Sequence, residues 1–173
     1  LRQEAAGVLG PGVRALLLYP MNALANDQLR RLRALLGRYP AITFGRYTGE
    51  TREKQREAEA QFREEFPEEP LIPNELLSPE ALRGTPPHLL ITNYAMLEYL
   101  MVRPDDSIFF DPQYADFWKY IILDEAHVYS GSTGIEVSML LRRLKATLNN
   151  SHIQYILTSA TLGDDDGNHE VAA

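Results

Sequence analysis

Two adjacent carboxylates, Asp124 and Glu125, stand directly after a short apolar run and are the side chains best placed to do chemistry. If residues 120–123 form a strand of a parallel sheet, the pair lies at its carboxyl edge, where α/β proteins bind ligands. Asp124 would then face a magnesium ion on nucleotide phosphates, through water. Glu125 would orient or deprotonate an attacking water. A solvated turn after a strand is the alternative for the same two residues.

The elements that must position these acids are visible as short apolar runs along the chain. The runs lie at 14–20, 42–47, 88–93, 119–124 and 153–159. Each run is mostly continuous rather than alternating, which is typical of strands covered on both faces. The pattern therefore predicts a mostly parallel sheet with helices on either side.

Helical patterns separate the apolar runs. Within 24–37 the apolar positions recur at helical spacing, with arginines on the other face; they are Ala25, Leu29, Leu32 and Leu36. Segments 93–102 and 135–148 are also predicted helices, the first capped by Thr92 or Asn93. Strands that alternate with helices predict an α/β fold with right-handed crossovers.

Residues 51–87 break this alternation. They begin as a charged helix over 51–66 and pass into a proline-dense stretch with few apolar anchors. Because proline removes a backbone donor and interrupts helices, we expect an irregular surface excursion inserted between two core strands. A charged stretch with so little to bury often stays mobile.

The composition is that of an ordinary globular protein, with 45% apolar and 24% charged residues among 173. There is no cysteine, which excludes disulfides and thiolate metal sites and leads us to expect a cytoplasmic protein. No apolar stretch approaches the roughly 18 residues of a membrane span. The net charge of −7 speaks against bulk electrostatic binding of nucleic acid. The charge is segregated, however, with arginines clustered over 30–38 and much of the acid within 50–80.

The two residues after the acids extend the pattern to Asp-Glu-Ala-His over 124–127. This string resembles the signature of the DEAD/DEAH-box helicases of superfamily 2. Downstream, Thr-Ser-Ala-Thr over 158–161 follows another predicted strand and resembles the Ser-Ala-Thr motif of the same helicases. The resemblance implies that His127, Ser159 and Thr161 couple the nucleotide state to the nucleic-acid face. Local hydrogen bonding at a strand end is the alternative for the second motif.

Three upstream motifs resemble the elements with which these helicases contact nucleic acid. The sequence 16–25 resembles their second motif, with Met21 and Asn22 replacing the commoner threonine and its neighbour. Tyr-Thr-Gly-Glu over 47–50 resembles their Thr-Gly element, and 91–97 resembles Thr-Pro-x-x-Leu with asparagine in place of proline. The nucleic-acid-binding residues implied are Pro20, Asn22, Thr48, Gly49, Thr92 and Asn93. Thr92, with a helix N-terminus behind it, is positioned to hold a backbone phosphate.

The five motifs come in the helicase order, and the resemblance extends from about residue 14 to residue 163. It implies a RecA-like P-loop NTPase domain, the first motor domain of a helicase or translocase that uses ATP and Mg. Residues 93–99 and 126–137 resemble the large bacterial DNA helicases of the MrfA/Hrq-like and Lhr-like groups, so DNA is the expected nucleic acid. An RNA helicase and an unrelated α/β domain are the alternatives.

A phosphate loop of the form Gly-x-x-x-x-Gly-Lys-Ser/Thr does not occur in the 173 residues. We therefore expect residues 1–173 to be a partial first motor domain, truncated at both ends, whose partner is the second RecA-like domain of the same parent chain. Without the loop, this chain is not expected to hydrolyse ATP. In the family the phosphate-loop strand lies beside the Ser-Ala-Thr strand, so 153–159 is expected to be an unpaired apolar edge that self-associates. A non-catalytic nucleic-acid-binding module that lacks the loop is the remaining alternative.

Overall fold

The apolar runs of the sequence form strands of one parallel sheet, as predicted. The computed structural model describes residues 9–159. Its strands are β1 (Ala15–Leu18), β2 (Phe44–Arg46), β3 (Glu75–Leu76), β4 (Leu89–Thr92), β5 (Tyr120–Leu123) and β6 (Gln154–Leu157). Their order is β3-β2-β4-β1-β5-β6, and every pairing is parallel. The short strand β3 has no counterpart among the apolar runs.

Helices connect the strands. They are α1 (Asn22–Leu36), α2 (Gln55–Glu65), α3 (Pro79–Gly84), α4 (Tyr94–Val102), α5 (Pro112–Ala115) and α6 (Gly131–Leu148), with 3₁₀ helices over Pro104–Phe110 and Ala126–Val128. The helices predicted from periodicity are confirmed as α1, α4 and α6. Asn93, rather than Thr92, caps α4, because its side-chain oxygen accepts a hydrogen bond from the backbone N–H of Met96 (2.7 Å). Within residues 9–159, no helix is long and apolar enough to span a membrane.

Alternate side chains of the strands supply two apolar cores, one on each face of the sheet. On one face, Leu16 and Leu18 of β1 pack in the larger core, which α4 and α6 cover. On the other face, Ala15 and Leu17 pack against the apolar stripe of α1. Each buried leucine contributes about 1.5–3 kcal/mol relative to an exposed one. Burial on both faces explains why the central strands β1 and β4 appear as continuous apolar runs in the sequence.

The charged helix expected over 51–66 is confirmed as α2, but the remainder of the segment is not the expected irregular excursion, because it carries α3 and adds β3 to the sheet. Asn74 is buried, and its side-chain amide donates a hydrogen bond to Leu36 O (2.9 Å). Ser78 caps α3 by accepting a hydrogen bond from the backbone N–H of Ala81 (3.1 Å). These polar side chains anchor the segment together with a few apolar ones, of which Leu82 is fully buried in the larger core.

The strand β3 approaches β2 closely at Gly45. A Cβ atom on Gly45 would lie 2.5 Å from Leu76 O and 2.7 Å from Leu82 Cδ2, closer than Cβ atoms are found in proteins. Buried Arg33 of α1 pairs with Glu75 of β3 at the same edge. The inserted segment is therefore packed as part of the sheet.

The strand β6 forms the opposite edge, with β5 as its one neighbour among residues 9–159. Ile156 and Leu157 have exposed fractions of 40% and 65%. The expected unpaired apolar edge over 153–159 is thus present in the described part of the chain. Self-association through it stays a prediction.

Candidate active site and nucleic-acid interface

The parallel sheet brings the sequence motifs to one edge. Backbone hydrogen bonds continue past the strand ends, from Asp124 N–H to Leu18 O (2.9 Å) and from Tyr19 N–H to Thr92 O (3.0 Å). The residues that follow β1, β4 and β5 are therefore neighbours in space. In α/β proteins this carboxyl edge is where ligands bind.

Asp124 is tied to the strand that carries the Ser-Ala-Thr motif. The hydroxyl of Thr158 donates a hydrogen bond to Asp124 Oδ1. The backbone N–H of Thr158 donates to Leu123 O (2.9 Å), and Thr158 O accepts from the N–H of Ala126 (2.8 Å). The first bond fixes one carboxylate oxygen of Asp124, and the two backbone bonds hold Thr158 beside the acidic motif.

Glu125 adopts a left-handed backbone conformation, with φ 50° and ψ 49°. This region is unfavourable for a residue with a Cβ atom, by roughly 1–2 kcal/mol. Such strain in a non-glycine residue is concentrated at functional sites. The conformation ends β5 abruptly and starts the 3₁₀ turn over Ala126–Val128, so the two acids leave the strand on a sharp change of direction.

His127 lies between the acidic motif and the Ser-Ala-Thr motif. Its Nδ1 is 2.9 Å from Ser159 Oγ and 3.3 Å from Glu125 Oε2. The structure thus brings together three of the residues predicted for catalysis and coupling. Thr161, the fourth residue of the second motif, lies outside the described residues.

Two tyrosines near Asp124 were not singled out from the sequence. Burial, reinforced by the Asp124 carboxylate, raises the pKa of Tyr19 to about 12. Burial and the same carboxylate also raise the pKa of Tyr129, whose buried hydroxyl has no hydrogen-bond partner among residues 9–159. Both phenols therefore stay neutral at physiological pH. Tyr19 lies in segment 16–25 and Tyr129 in segment 126–137, which both resemble helicase sequences. Nothing in the residue spacing of these segments marks either tyrosine as part of the site.

Asn22 links the three candidate nucleic-acid motifs to one another. Its Oδ1 accepts a hydrogen bond from Asn93 Nδ2 (2.9 Å), and its own Nδ2 donates to Glu50 Oε1 (3.0 Å). Asn22 begins α1, Glu50 follows the Thr-Gly element, and Asn93 caps α4. Two of the three residues at which this sequence departs from the family pattern, Asn22 and Asn93, thus contact each other.

Both threonines predicted to bind nucleic acid, Thr48 and Thr92, are buried. Thr92 is fully buried, and its hydroxyl donates to Tyr47 O (2.6 Å). Thr48 is 2% exposed, and its backbone N–H donates to Thr51 Oγ1 (3.0 Å). The Thr92 hydroxyl is therefore engaged inside the protein, and the role of Thr92 in holding a phosphate stays a prediction. Gly49 is exposed on the turn that these bonds support.

The acidic pair suits magnesium held together with a nucleotide better than a metal site made of protein alone. Within residues 9–159, no group of three or more His, Cys, Asp or Glu side chains could hold a metal ion. Magnesium in ATPases is bound through one or two carboxylates together with substrate phosphates and water. Asp124 is half-buried at the sheet edge and is a hard oxygen ligand of the required kind.

Sequence comparison assigns the class of protein. The sequence model of the DEAD/DEAH box helicase family matches residues 73–167, and the chain belongs to this family. The six-stranded parallel sheet flanked by helices is the RecA-like fold of such helicases, which use ATP.

Three individual proteins are similar to this chain in sequence or in structure. The chain is 32% identical to the Druantia protein DruE of Escherichia coli (strain UMEA 4076-1), with 91% of this chain and 13% of DruE covered. The crystal structure of the DUF1998 helicase MrfA bound to DNA and AMPPNP is similar at a TM-score of 0.62 and 27% identity, covering 94% of this chain and 19% of MrfA. The helicase Lhr of Mycobacterium smegmatis, bound to ssDNA and AMP-PNP, matches at a TM-score of 0.60 and 25% identity, covering 92% of this chain and 18% of Lhr. The chain therefore spans less than a fifth of each of these relatives.

Proposed function

We propose that this chain forms part of the first motor domain of a larger, ATP-dependent DNA helicase or translocase, which couples ATP hydrolysis to movement along a strand. One observation carries the proposal: a single sheet edge holds the acidic pair Asp124-Glu125 beside the linked asparagines Asn22 and Asn93. The acids follow β5, and the asparagines follow its neighbour β1 and the next strand, β4. Nucleotide and nucleic acid would thus bind within a few strands of each other.

On the nucleotide side, Asp124 would bind Mg through water, and Glu125 would orient or deprotonate the attacking water. The metal would neutralise charge on the transferred phosphoryl group. The hydrogen bond from Thr158 engages one carboxylate oxygen of Asp124, and the second oxygen would face this position. The left-handed backbone at Glu125 separates the directions of the two acids, as their different roles require.

Coupling would run through His127, Ser159 and Thr161. The imidazole of His127 contacts both Glu125 and Ser159, so a change at the acidic motif reaches the strand β6 through one side chain. Such a relay joins two elements that phosphate binding and hydrolysis would move differently.

On the nucleic-acid side, the contacts would come from the turns after β1, β2 and β4. The residues are Pro20, Asn22, Thr48, Gly49, Thr92 and Asn93. Because Thr48 and Thr92 are buried, we infer that they hold the turn, with Gly49 presenting backbone to the strand. A phosphate near the α4 N-terminus would add the favourable interaction of an anion with the helix dipole.

The relatives support DNA as the nucleic acid and a larger parent protein. MrfA and Lhr were each solved with DNA, and this chain corresponds to 18–19% of their lengths. We propose that a phosphate loop precedes these residues in the parent chain and that a second RecA-like domain completes the ATP site. The cysteine-free sequence fits a cytoplasmic protein.

The test is ATP turnover by the full-length protein with single-stranded DNA, single-stranded RNA or neither. We expect DNA to stimulate turnover and Glu125→Gln to reduce the stimulated rate by about a hundredfold or more, with ATP binding retained. Glu136→Gln is the matched control, since it removes one carboxylate from an exposed position on α6. Stimulation by RNA alone would identify an RNA helicase. An ATP turnover rate that neither DNA nor RNA changes, or that Glu125→Gln does not lower, would contradict the proposal.

A further inference from the structure

A network of ionic side chains joins the inserted segment to the turn that carries Thr48 and Gly49. Arg83 of α3 donates from Nε to Asp106 Oδ1 (2.8 Å) and from an Nη atom to the hydroxyl of Tyr47 (2.7 Å). It also pairs with Glu53 at the start of the insertion. The Tyr47 hydroxyl donates in turn to Asp106 Oδ1 (2.9 Å).

The network is built around a fully buried carboxylate. Asp106 has no exposed surface, and a buried charge is tolerated where paired and hydrogen-bonded. Arg83 supplies a planar fork of donors, and Arg103 lies 3.7 Å from the other carboxylate oxygen. Burial and the hydrogen bond to Asp106 raise the pKa of Tyr47 to about 12, so its hydroxyl keeps the proton that it donates.

Tyr47 carries this network to the sheet edge through its backbone. Its N–H donates to Ile91 O (2.8 Å), and its carbonyl accepts from the Thr92 hydroxyl (2.6 Å). The next residues along the chain are Thr48 and Gly49. Tyr47 therefore joins the ionic network to the end of β4 and to the start of the Thr-Gly turn.

We propose that Arg83 is a positioning residue for nucleic-acid binding, which holds the Thr48–Gly49 turn in place through Tyr47 and Asp106. The inference rests on the function proposed above, because the turn matters only if it contacts a strand. It also gives the inserted segment a role, since Arg83 of α3 holds Tyr47, the residue before the turn. Arg83 itself has no contact with nucleic acid in this scheme.

The salt dependence of DNA binding separates bracing from direct contact. Each phosphate contact that is lost lowers the slope of log affinity against log salt by about 0.7 for a single strand. A bracing residue changes affinity by displacing the turn and leaves the slope unaltered. Arg63→Met is the control for long-range electrostatics, because Arg63 lies on the same insertion and is exposed. Among residues 9–159 its one ionic partner is Glu59, on the same helix α2.

The experiment compares Arg83→Met, Arg83→Lys and Arg63→Met in the full-length protein, with single-stranded DNA at several salt concentrations. We expect Arg83→Met to weaken binding about tenfold, because small displacements of positioned groups are costly. The salt slope should stay unchanged, and the KM for DNA should rise while kcat at saturating DNA and turnover without DNA are retained. Arg63→Met should stay within about twofold of the wild type. Arg83→Lys should recover part of the loss, since it keeps the charge beside Asp106.

If Arg83→Met does not fold, Tyr47→Phe performs the same test, because it removes only the bridging hydroxyl. A DNA affinity of the Arg83 or Tyr47 variant equal to that of Arg63→Met would overturn the inference while leaving the proposed function standing. A slope lowered by about 0.7 would overturn it in favour of a phosphate contact. A wild-type protein that binds no DNA would overturn the proposed function and the inference together.

Discussion

The side-chain amide of Asn93 donates a hydrogen bond to Asn22 Oδ1 over 2.9 Å, although the two residues are 71 positions apart in the sequence. Asn93 uses its own side-chain oxygen to cap α4, so one asparagine side chain serves two elements at once. Asn22 passes the link on to Glu50. The starts of α1 and α4 and the Thr-Gly turn thereby form a single hydrogen-bonded edge.

Substitution of Asn93 should separate its two roles. Asn93→Ser keeps a capping oxygen but is too short to reach Asn22, whereas Asn93→Ala loses both functions. We expect Asn93→Ala to lower the free energy of unfolding by about 1 kcal/mol more than Asn93→Ser does, the usual value of a cap. Both variants should weaken binding of single-stranded DNA to a similar extent. Chemical denaturation measures the change in stability, and fluorescence anisotropy measures the affinity for DNA. If Asn93→Ala weakened DNA binding and Asn93→Ser did not, the hydrogen bond between Asn93 and Asn22 would have no role in binding.

The hydrogen bond from Thr158 to Asp124 should matter for catalysis more than for folding. Thr158→Val keeps the shape of the side chain and removes the donor, so Asp124 loses the group that fixes its orientation. We expect DNA-stimulated ATP turnover by the full-length protein to fall about tenfold, with little change in melting temperature, since Thr158 is exposed. Thr147→Val on the exposed face of α6 is the matched control. Equal turnover in the two variants would show that Asp124 is oriented without Thr158.

The buried pair of Arg33 and Glu75 predicts a pH-dependent stability. Burial raises the pKa of Glu75 to about 7, against the opposing effect of the Arg33 guanidinium. Between the ordinary pKa of 4.5 and about 7, the folded state keeps a proton that the unfolded state releases, so this group makes the protein less stable as pH rises. The loss across that window is up to about 3 kcal/mol.

Glu75→Gln removes this titration and keeps an acceptor for Arg33. Relative to the wild type, the variant should therefore gain free energy of unfolding as pH rises from 4.5 to 7, as followed by urea denaturation at a series of pH values. Glu69→Gln is the control, since Glu69 also pairs with Arg33 but is 41% exposed. A difference between Glu75→Gln and wild type that stays constant with pH would contradict the prediction.

The sequence predicts those parts of the fold that apolar burial controls. The strands β1, β2, β4 and β5 are apolar runs because both faces of the sheet are covered there, and α1 shows its stripe at helical spacing. The strand β6 is also an apolar run, although its residues are exposed at the edge of the sheet. The strand β3 escapes prediction, because it is two residues long and one of them is Glu75. The buried side chain of Glu75 is paired there with Arg33, which lies 42 positions away along the chain.

The candidate site, like the fold, is predictable from the sequence only in part. The order of the motifs and the rule that parallel strands end at one edge predict that Asp124, His127 and Ser159 come together. The contact between Asn22 and Asn93 is not predictable in this way, because it arises where the sequence departs from the family pattern. The burial of Thr92 is likewise a property of packing, since the hydroxyl satisfies Tyr47 O rather than facing solvent.

The exposed edge at β6 gives a prediction about association. Its backbone has a partner on one side within residues 9–159, and Leu157 is 65% exposed, so two copies of this chain can pair edge to edge. We expect the 173-residue chain to sediment as dimers or larger species at micromolar concentrations. Leu157→Lys should shift it towards monomer, because a lysine on an edge strand opposes pairing. Leu35→Lys, at an exposed position of α1, is the control and should leave the distribution of sedimenting species unchanged. A wild-type chain that sediments as a single monomeric species would rule out pairing through β6.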